Sequence, residues 1–162
     1  MAKKRVYVES SVISYLTARP SRDWLKRAMQ RLTHEWWEQR HLWELFVSNP
    51  VMDEIEKGDP EAALKRINVV AGMTRLPETS EAQGLAAHLI AVKAVPEGKY
   101  DDALHVSIAT VHGMDNLVTW NQTHLFNPER IEALYKAIRE TGHKPAVLLR
   151  PDNMLMEVRH AP

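Results

Sequence analysis

Three carboxylates and one amide stand at turning points of the chain: Glu9, Glu54, Asp102 and Asn121. Glu9 closes the β-branched and aromatic run Arg5-Val-Tyr-Val, and Glu54 lies about one turn into a stretch opened by Asn49-Pro50. Asp102 follows Asp101 at the head of an apolar helical stretch, and Asn121 ends Leu117-Val-Thr-Trp. Side-chain oxygens of this kind are hard ligands. They suit Mg²⁺ or Mn²⁺ and do not make a zinc site of the His and Cys type. Left bare, neighbouring carboxylates disfavour one another's ionisation, and a divalent cation resolves that conflict. Such a cation lowers the pKa of a bound water and neutralises charge developing on a phosphate. The reaction class that follows is metal-assisted phosphodiester hydrolysis.

The four groups form a site only if the elements carrying them end at one edge. Apolar β-branched runs predict strands at 5–8, 45–48, 73–76, 116–120 and 146–149. Between them, spacings of three and four predict helices at 12–16, from Pro20-Ser21 to about Arg40, from Asn49-Pro50 to about Lys57, and at 62–71 and 80–94. Further helices are predicted from Asp101 to a stop at Gly113 and at 129–140. Strands alternating with helices imply right-handed crossovers and a parallel sheet. The expected fold class is therefore α/β, a three-layer α/β/α sandwich on about five parallel strands. Residues 1–150 make one domain, and 151–162 a tail with a turn of helix near 153–157. Open sheets of this kind place their sites at the carboxyl edge, where all four groups fall.

Plainer roles compete for some of these residues. Asp is a favoured helix cap, so one of Asp101 and Asp102 reads equally well as a cap, and Ser10 and Ser11 read as caps of the helix at 12–16. Trp24, Ala28, Met29, Leu32 and Trp36 form an inward stripe, as do Leu85, Leu89 and Val92. The tryptophans read as core or interface, and Arg22, Lys26, Arg27, Arg31 and Arg40 as a solvated face.

Composition narrows the class. The 162 residues suit one domain, and 21 basic against 21 acidic residues give no net charge, where nucleic-acid binders are often basic. No cysteine is present, which excludes disulfides and thiolate metal sites and suits a cytoplasmic location. No apolar run approaches a membrane span, and the basic N-terminus leads into a strand and a glutamate instead of the apolar core of a signal peptide.

Four motifs in order, VYVESSVISYL, VSNPVMDEIEKGD, DDALHVSIA and LVTWNQTHL, give the chain a family resemblance. It resembles a PIN domain, and within that family the VapC-type toxin ribonucleases of type II toxin–antitoxin systems, over nearly its whole length. The resemblance implies a Mg²⁺- or Mn²⁺-dependent endoribonuclease cutting single-stranded or loop RNA. It also implies a cognate antitoxin that occludes the site, and commonly a homodimer. The family's acids fall on Glu9, Glu54, Asp102 and Asn121, with Glu9 and Asp102 as metal ligands, and its hydroxyls on Ser11 and Thr119. Asp101, His105 and His124 complete the set around metal and substrate, His105 as a supporting group in preference to a general base. Two departures stand out. Glu9 is one methylene longer than the usual Asp, and Asn121 brings an oxygen without a charge, which leaves the number of metals open.

Two other classes compete. A PIN-like module could bind RNA or a protein without cutting. A phosphatase fits less well, because no nucleophilic Asp follows the first strand and no Gly-rich phosphate loop is present. The Asn121 departure yields a test. Asn121→Asp adds a carboxylate to the set and should tighten Mn²⁺ binding by calorimetry. Unchanged affinity in a folded variant would place Asn121 away from the metal.

Overall fold

Branched and aromatic side chains give the first strand, β1 (Lys4–Val8), and its last three residues are wholly buried. The computed structural model describes residues 2–121 and 127–162. After β1 come α1 (Ser10–Thr17), α2 (Trp24–Glu38), a 3-10 turn at Arg40–Leu42, and β2 (Trp43–Ser48). Then follow α3 (Asn49–Ile55), α4 (Pro60–Val70), β3 (Thr74–Leu76), α5 (Ser80–Ala91) and α6 (Tyr100–Val111). The chain continues through β4 (Asn116–Val118), α7 (Pro128–Glu140), β5 (Val147–Leu149) and α8 (Pro151–Arg159).

The five strands form one parallel sheet in the order β3-β2-β1-β4-β5. From β1 the chain moves outward through β2 to β3, then returns to the other side of β1 for β4 and β5. Right-handed crossovers therefore put α1–α4 on one face and α5–α7 on the other. The packing agrees: α1 lies against α2, α3 and α4, and α5 against α6 and α7. The strand order reverses between β1 and β4, so a crevice opens at their carboxyl ends. The expected α/β/α sandwich is the observed one.

Helix α6 is buried on every side from Ala103 to Thr110, far beyond the single stripe its sequence suggests. It fills the space between the sheet and α5. Its end is a Schellman motif: Met114 N–H reaches Ala109 O at 2.9 Å, Gly113 N–H reaches Thr110 O at 3.0 Å, and Gly113 takes φ +70°.

Some expectations change. The second helix starts at Trp24, not Pro20, because Asp23 caps it by accepting from Lys26 N at 2.9 Å. That places Trp24 on the first exposed turn, 79% accessible, outside the core. Trp36 carries the burial instead, stacked on Trp43 with ring centroids 5.8 Å apart. Val92 is exposed because α5 ends at Ala91 and the chain turns through Lys93 at φ 61°. The basic residues of the 22–40 stretch lie in water as expected.

The segment 151–162, expected as a tail with a turn of helix, holds the nine-residue α8. It packs on α2 and contributes Met154 and Leu155 to the same core as the sheet. Met154→Ala should therefore lower stability by about 2–5 kcal/mol, the range for emptying a buried site of this size. Urea unfolding measures it, and a loss below about 1 kcal/mol would mean that α8 is not part of the core.

Candidate metal centre

Register fixes the first carboxylate. Val8 lies opposite Val118, and Glu9 N–H bonds Val118 O at 3.1 Å, so Glu9 leaves the sheet beside Thr119. Glu9 is itself the cap of α1. Its Oε2 accepts from Ser11 N–H at 3.0 Å, from the Ser11 hydroxyl, and from Thr119 Oγ1 at 2.9 Å. The capping role expected of Ser10 and Ser11 thus belongs to Glu9, whose longer side chain folds back over the first turn. Ser11 Oγ in turn accepts from Trp120 N–H at 3.0 Å, and Thr119 Oγ1 from Asn121 N–H at 2.9 Å. Each hydroxyl passes a bond from the β4 end to Glu9. Trp120 anchors that end to α2 through its indole N–H, 2.8 Å from Thr33 Oγ1.

Glu54 reaches the same place from α3. Its Oε2 takes the Ser10 hydroxyl, which also lies 3.1 Å from Glu9 Oε1. One hydroxyl proton serves one carboxylate at a time, so negative charge is in surplus between them. The other oxygen, Oε1, is 2.7 Å from His105 Nε2. Ligand-type atoms of Glu9, Glu54 and His105 all lie within 4.8 Å of one another. Both ring nitrogens of His105 are engaged, however, since Nδ1 is 2.6 Å from the Tyr7 hydroxyl. Tyr7 is 2.6 Å from Ser48 Oγ, which accepts from Val51 N–H at 3.3 Å and so caps α3.

Burial alone would push the Glu54 carboxyl up. The His105 hydrogen bond and charge, with Ser10 and Lys57, outweigh it and hold the carboxyl below its usual range. For His105 burial acts downward, and the Glu54 hydrogen bond and charge, with Glu9 and Asp102 behind them, push the ring above its ordinary value. Burial also pushes the Tyr7 hydroxyl far up, so it stays protonated.

Neither Asp101 nor Asp102 caps α6. The cap position is Lys99, which places the two acids at the second and third helical residues. Asp101 is exposed, whereas half-buried Asp102 accepts from Asn121 Nδ2 at 3.2 Å. Both, with Asn121, line an open cavity of about 330 Å³ with Gly98, Lys99 and Tyr100. Thr119 joins this outer pair to the inner cluster through the Asn121 backbone and the Glu9 carboxylate. His124 lies outside the described residues, and Asn127 caps α7 by accepting from Glu129 N–H. Nothing in the sequence gives Tyr7 or Ser48 a site role, and Ser10 is expected there only as a cap. A tyrosine hydroxyl inside a core strand, which must find a partner, was the one available signal.

No family model matches the chain, and no curated protein matches its sequence. Solved structures do. The chain is similar to a VapBC2 structure from Rickettsia felis, solved with a DNA fragment from the promoter, at 13% identity and TM-score 0.59. That match covers 90% of this chain and 98% of the other. It is also similar to VapC20 of Mycobacterium tuberculosis, described as a sarcin-ricin loop cleaving toxin, at 14% identity and TM-score 0.58. There the match covers 73% of this chain and 91% of the other. The fold is thus that of the PIN-domain VapC proteins. Among the described residues, no helix is long and apolar enough to cross a membrane.

The Glu54–His105 pair predicts a pH window. Glu54 is shifted down, so its contribution is complete above the ordinary glutamate value of 4.5 and fades as pH falls through its depressed value. His105 is shifted up, so its contribution is complete below the ordinary 6.5 and fades as pH rises through its elevated value. In metal-free buffer, the stability gap between wild type and Glu54→Gln should be widest between those two values and narrow on both sides. A gap independent of pH from about 3 to 9 would show that the pair is uncharged or uncoupled.

Proposed function

We propose that the chain is a divalent-metal-dependent endoribonuclease and the toxin of a toxin–antitoxin pair. The observation that carries this reading is the convergence of Glu9 Oε1 and Glu54 Oε2 on the single proton of Ser10, at the strand-order reversal of a VapC-like fold. Two carboxylate oxygens with one donor between them match the needs of Mg²⁺ or Mn²⁺. Glu9 and Glu54, which belong to the group within 4.8 Å, would hold the ion, and Asp102, which stands outside that group beside Asn121, would complete the set from the α6 side. When bound, it supplies an acidified water and neutralises charge on the cleaved phosphodiester.

The chain's own groups prepare that chemistry. Ser11 and Thr119 fix the Glu9 oxygen turned away from Ser10, and His105 fixes Glu54. Asn121 orients Asp102 by donating to it, and the cavity beside that pair admits the RNA backbone from solvent. With both nitrogens used, His105 supports the ligands and does not act as the base. Single-stranded or loop RNA fits a site open at a sheet edge, and cleavage of such a loop is the activity named for VapC20. Exposed Trp24, Leu25 and Leu64 give α2 and α4 apolar surface suited to an antitoxin or a second copy of the chain. We place the pair in the cytoplasm, with its RNA.

One observation favours the non-cutting alternative. The fourth position is a neutral amide already bonded to Asp102, so the set carries at most three negative charges. The test is Asp102→Asn, assayed with RNA and Mn²⁺. Because Asp102 is not the cap, stability should change by no more than about 1 kcal/mol, the usual size of a first-turn charge effect. Cleavage should fall about a hundredfold or more, beyond what the loss of an outer-shell partner costs. Cleavage at the wild-type rate would remove Asp102 from the metal set. Metal-independent RNA binding without turnover in the wild type would establish the binding module instead.

A further inference from the structure

We propose that the buried line Ser48–Tyr7–His105 makes this centre select a small octahedral dication over Ca²⁺, by keeping one oxygen of Glu54 from the metal. The inference rests on the metal-dependent reading above and concerns groups that this reading leaves in a supporting role.

Glu54 stands on a seven-residue helix with its side chain 31% accessible, so nothing in its own element stops it offering both oxygens. His105 does. Its Nε2 meets Oε1 at 2.7 Å, and a carboxylate oxygen can only accept, so Nε2 carries a proton toward it in either charge state of the ring. Nδ1 is held by Tyr7 at 2.6 Å, and Tyr7 by Ser48 at 2.6 Å. Tyr7 and Ser48 are wholly buried and His105 is 2% accessible, so every link of the line is shielded from bulk solvent. The line also closes on itself. Ser48 caps α3 through Val51 N–H, and Glu54 is carried by α3, so turning Glu54 moves a side chain tied to its own helix cap.

The three ligand-type groups within 4.8 Å therefore divide into two ligands and one positioning residue. His105 occupies one lone pair of Oε1 and fixes the tilt of the carboxylate, so Glu54 presents Oε2, the oxygen on the Ser10 and Glu9 side, as its ligand. Ca²⁺ takes six to eight oxygens at about 2.3–2.6 Å, often with both oxygens of a carboxylate, whereas Mg²⁺ demands a compact octahedron. Restricting Glu54 to one oxygen removes the ligand that Ca²⁺ would gain. A Phe in place of Tyr7 would fill β1 as well, so packing alone does not account for the hydroxyl.

The experiment is calorimetric titration of the metal-free full chain with Mn²⁺ and separately with Ca²⁺. Wild type, Tyr7→Phe and Ser48→Gly are compared; Tyr7→Phe breaks the line without touching Glu54 or its helix, and Ser48→Gly breaks it together with the side-chain cap of α3, a position where Gly is tolerated. Wild type should prefer Mn²⁺, and each variant should lose about tenfold of that preference, within the range known for outer-shell partners. His105→Gln, which retains an amide donor toward Oε1, should keep more of the preference than His105→Leu. If Tyr7→Phe does not fold, Ser48→Gly decides. An unchanged Mn²⁺/Ca²⁺ ratio in the folded variants, or equal weakening of both metals, overturns the selectivity role and leaves the metal site standing. Failure of the wild type to bind either metal overturns both.

Discussion

Two carboxylates held against one hydroxyl proton are the constraint on which the site depends. Glu9 and Glu54 come from elements 45 positions apart, and each would be costly to remove from water without partners. The fold supplies those partners unequally. Glu9 receives three donors on one oxygen, and Glu54 receives His105 on one of its own. The oxygens left facing each other share Ser10. Charge is thus stabilised on the outer flanks of the pair and left in excess at its centre, the electrostatic condition that a divalent cation meets.

Sheet order makes the convergence geometrically cheap. β1 lies at the centre with β2 and β4 on either side, so Glu9, the start of α3 and the β4 end are neighbours before any loop is shaped. The reversal between β1 and β4 sends their following chains to opposite faces, and the gap between them is the opening of the site. Trp120, bonded to Thr33 on α2 and packed beside Tyr15, fixes the β4 end that presents Thr119 and Asn121.

Helix α6 shows how one element serves core and site at once. Asp102 and His105 are three residues apart and project from neighbouring positions on one side of the helix. Asp102 is on the half-buried first turn facing Asn121, and His105 is on the buried second turn facing Tyr7 and Glu54. The middle of the helix is shut off from solvent, and its polar groups there fare unequally. The Ser107 and Thr110 hydroxyls have no hydrogen-bond partner among the described residues, whereas His105 is held by protein groups at both nitrogens.

Local pattern determined a good deal of this protein. Branched runs and three-four spacing gave the strands, most helix starts and the parallel α/β/α class, because periodicity and caps act within a few residues. The carboxyl-edge placement of Glu9, Glu54, Asp102 and Asn121 followed from that class alone. Errors arose where the deciding partner was close but chosen by geometry: Asp23 moved the start of α2 and exposed Trp24, and Glu9 displaced its serines as cap. Only the tertiary structure decided the rest. Tyr7 meets His105 across 98 positions and Ser48 across 41, and Glu54 meets His105 across 51. No periodicity encodes such pairs. They exist because a parallel sheet brings remote strand ends within a hydrogen bond of each other, and because buried polar groups must find partners there.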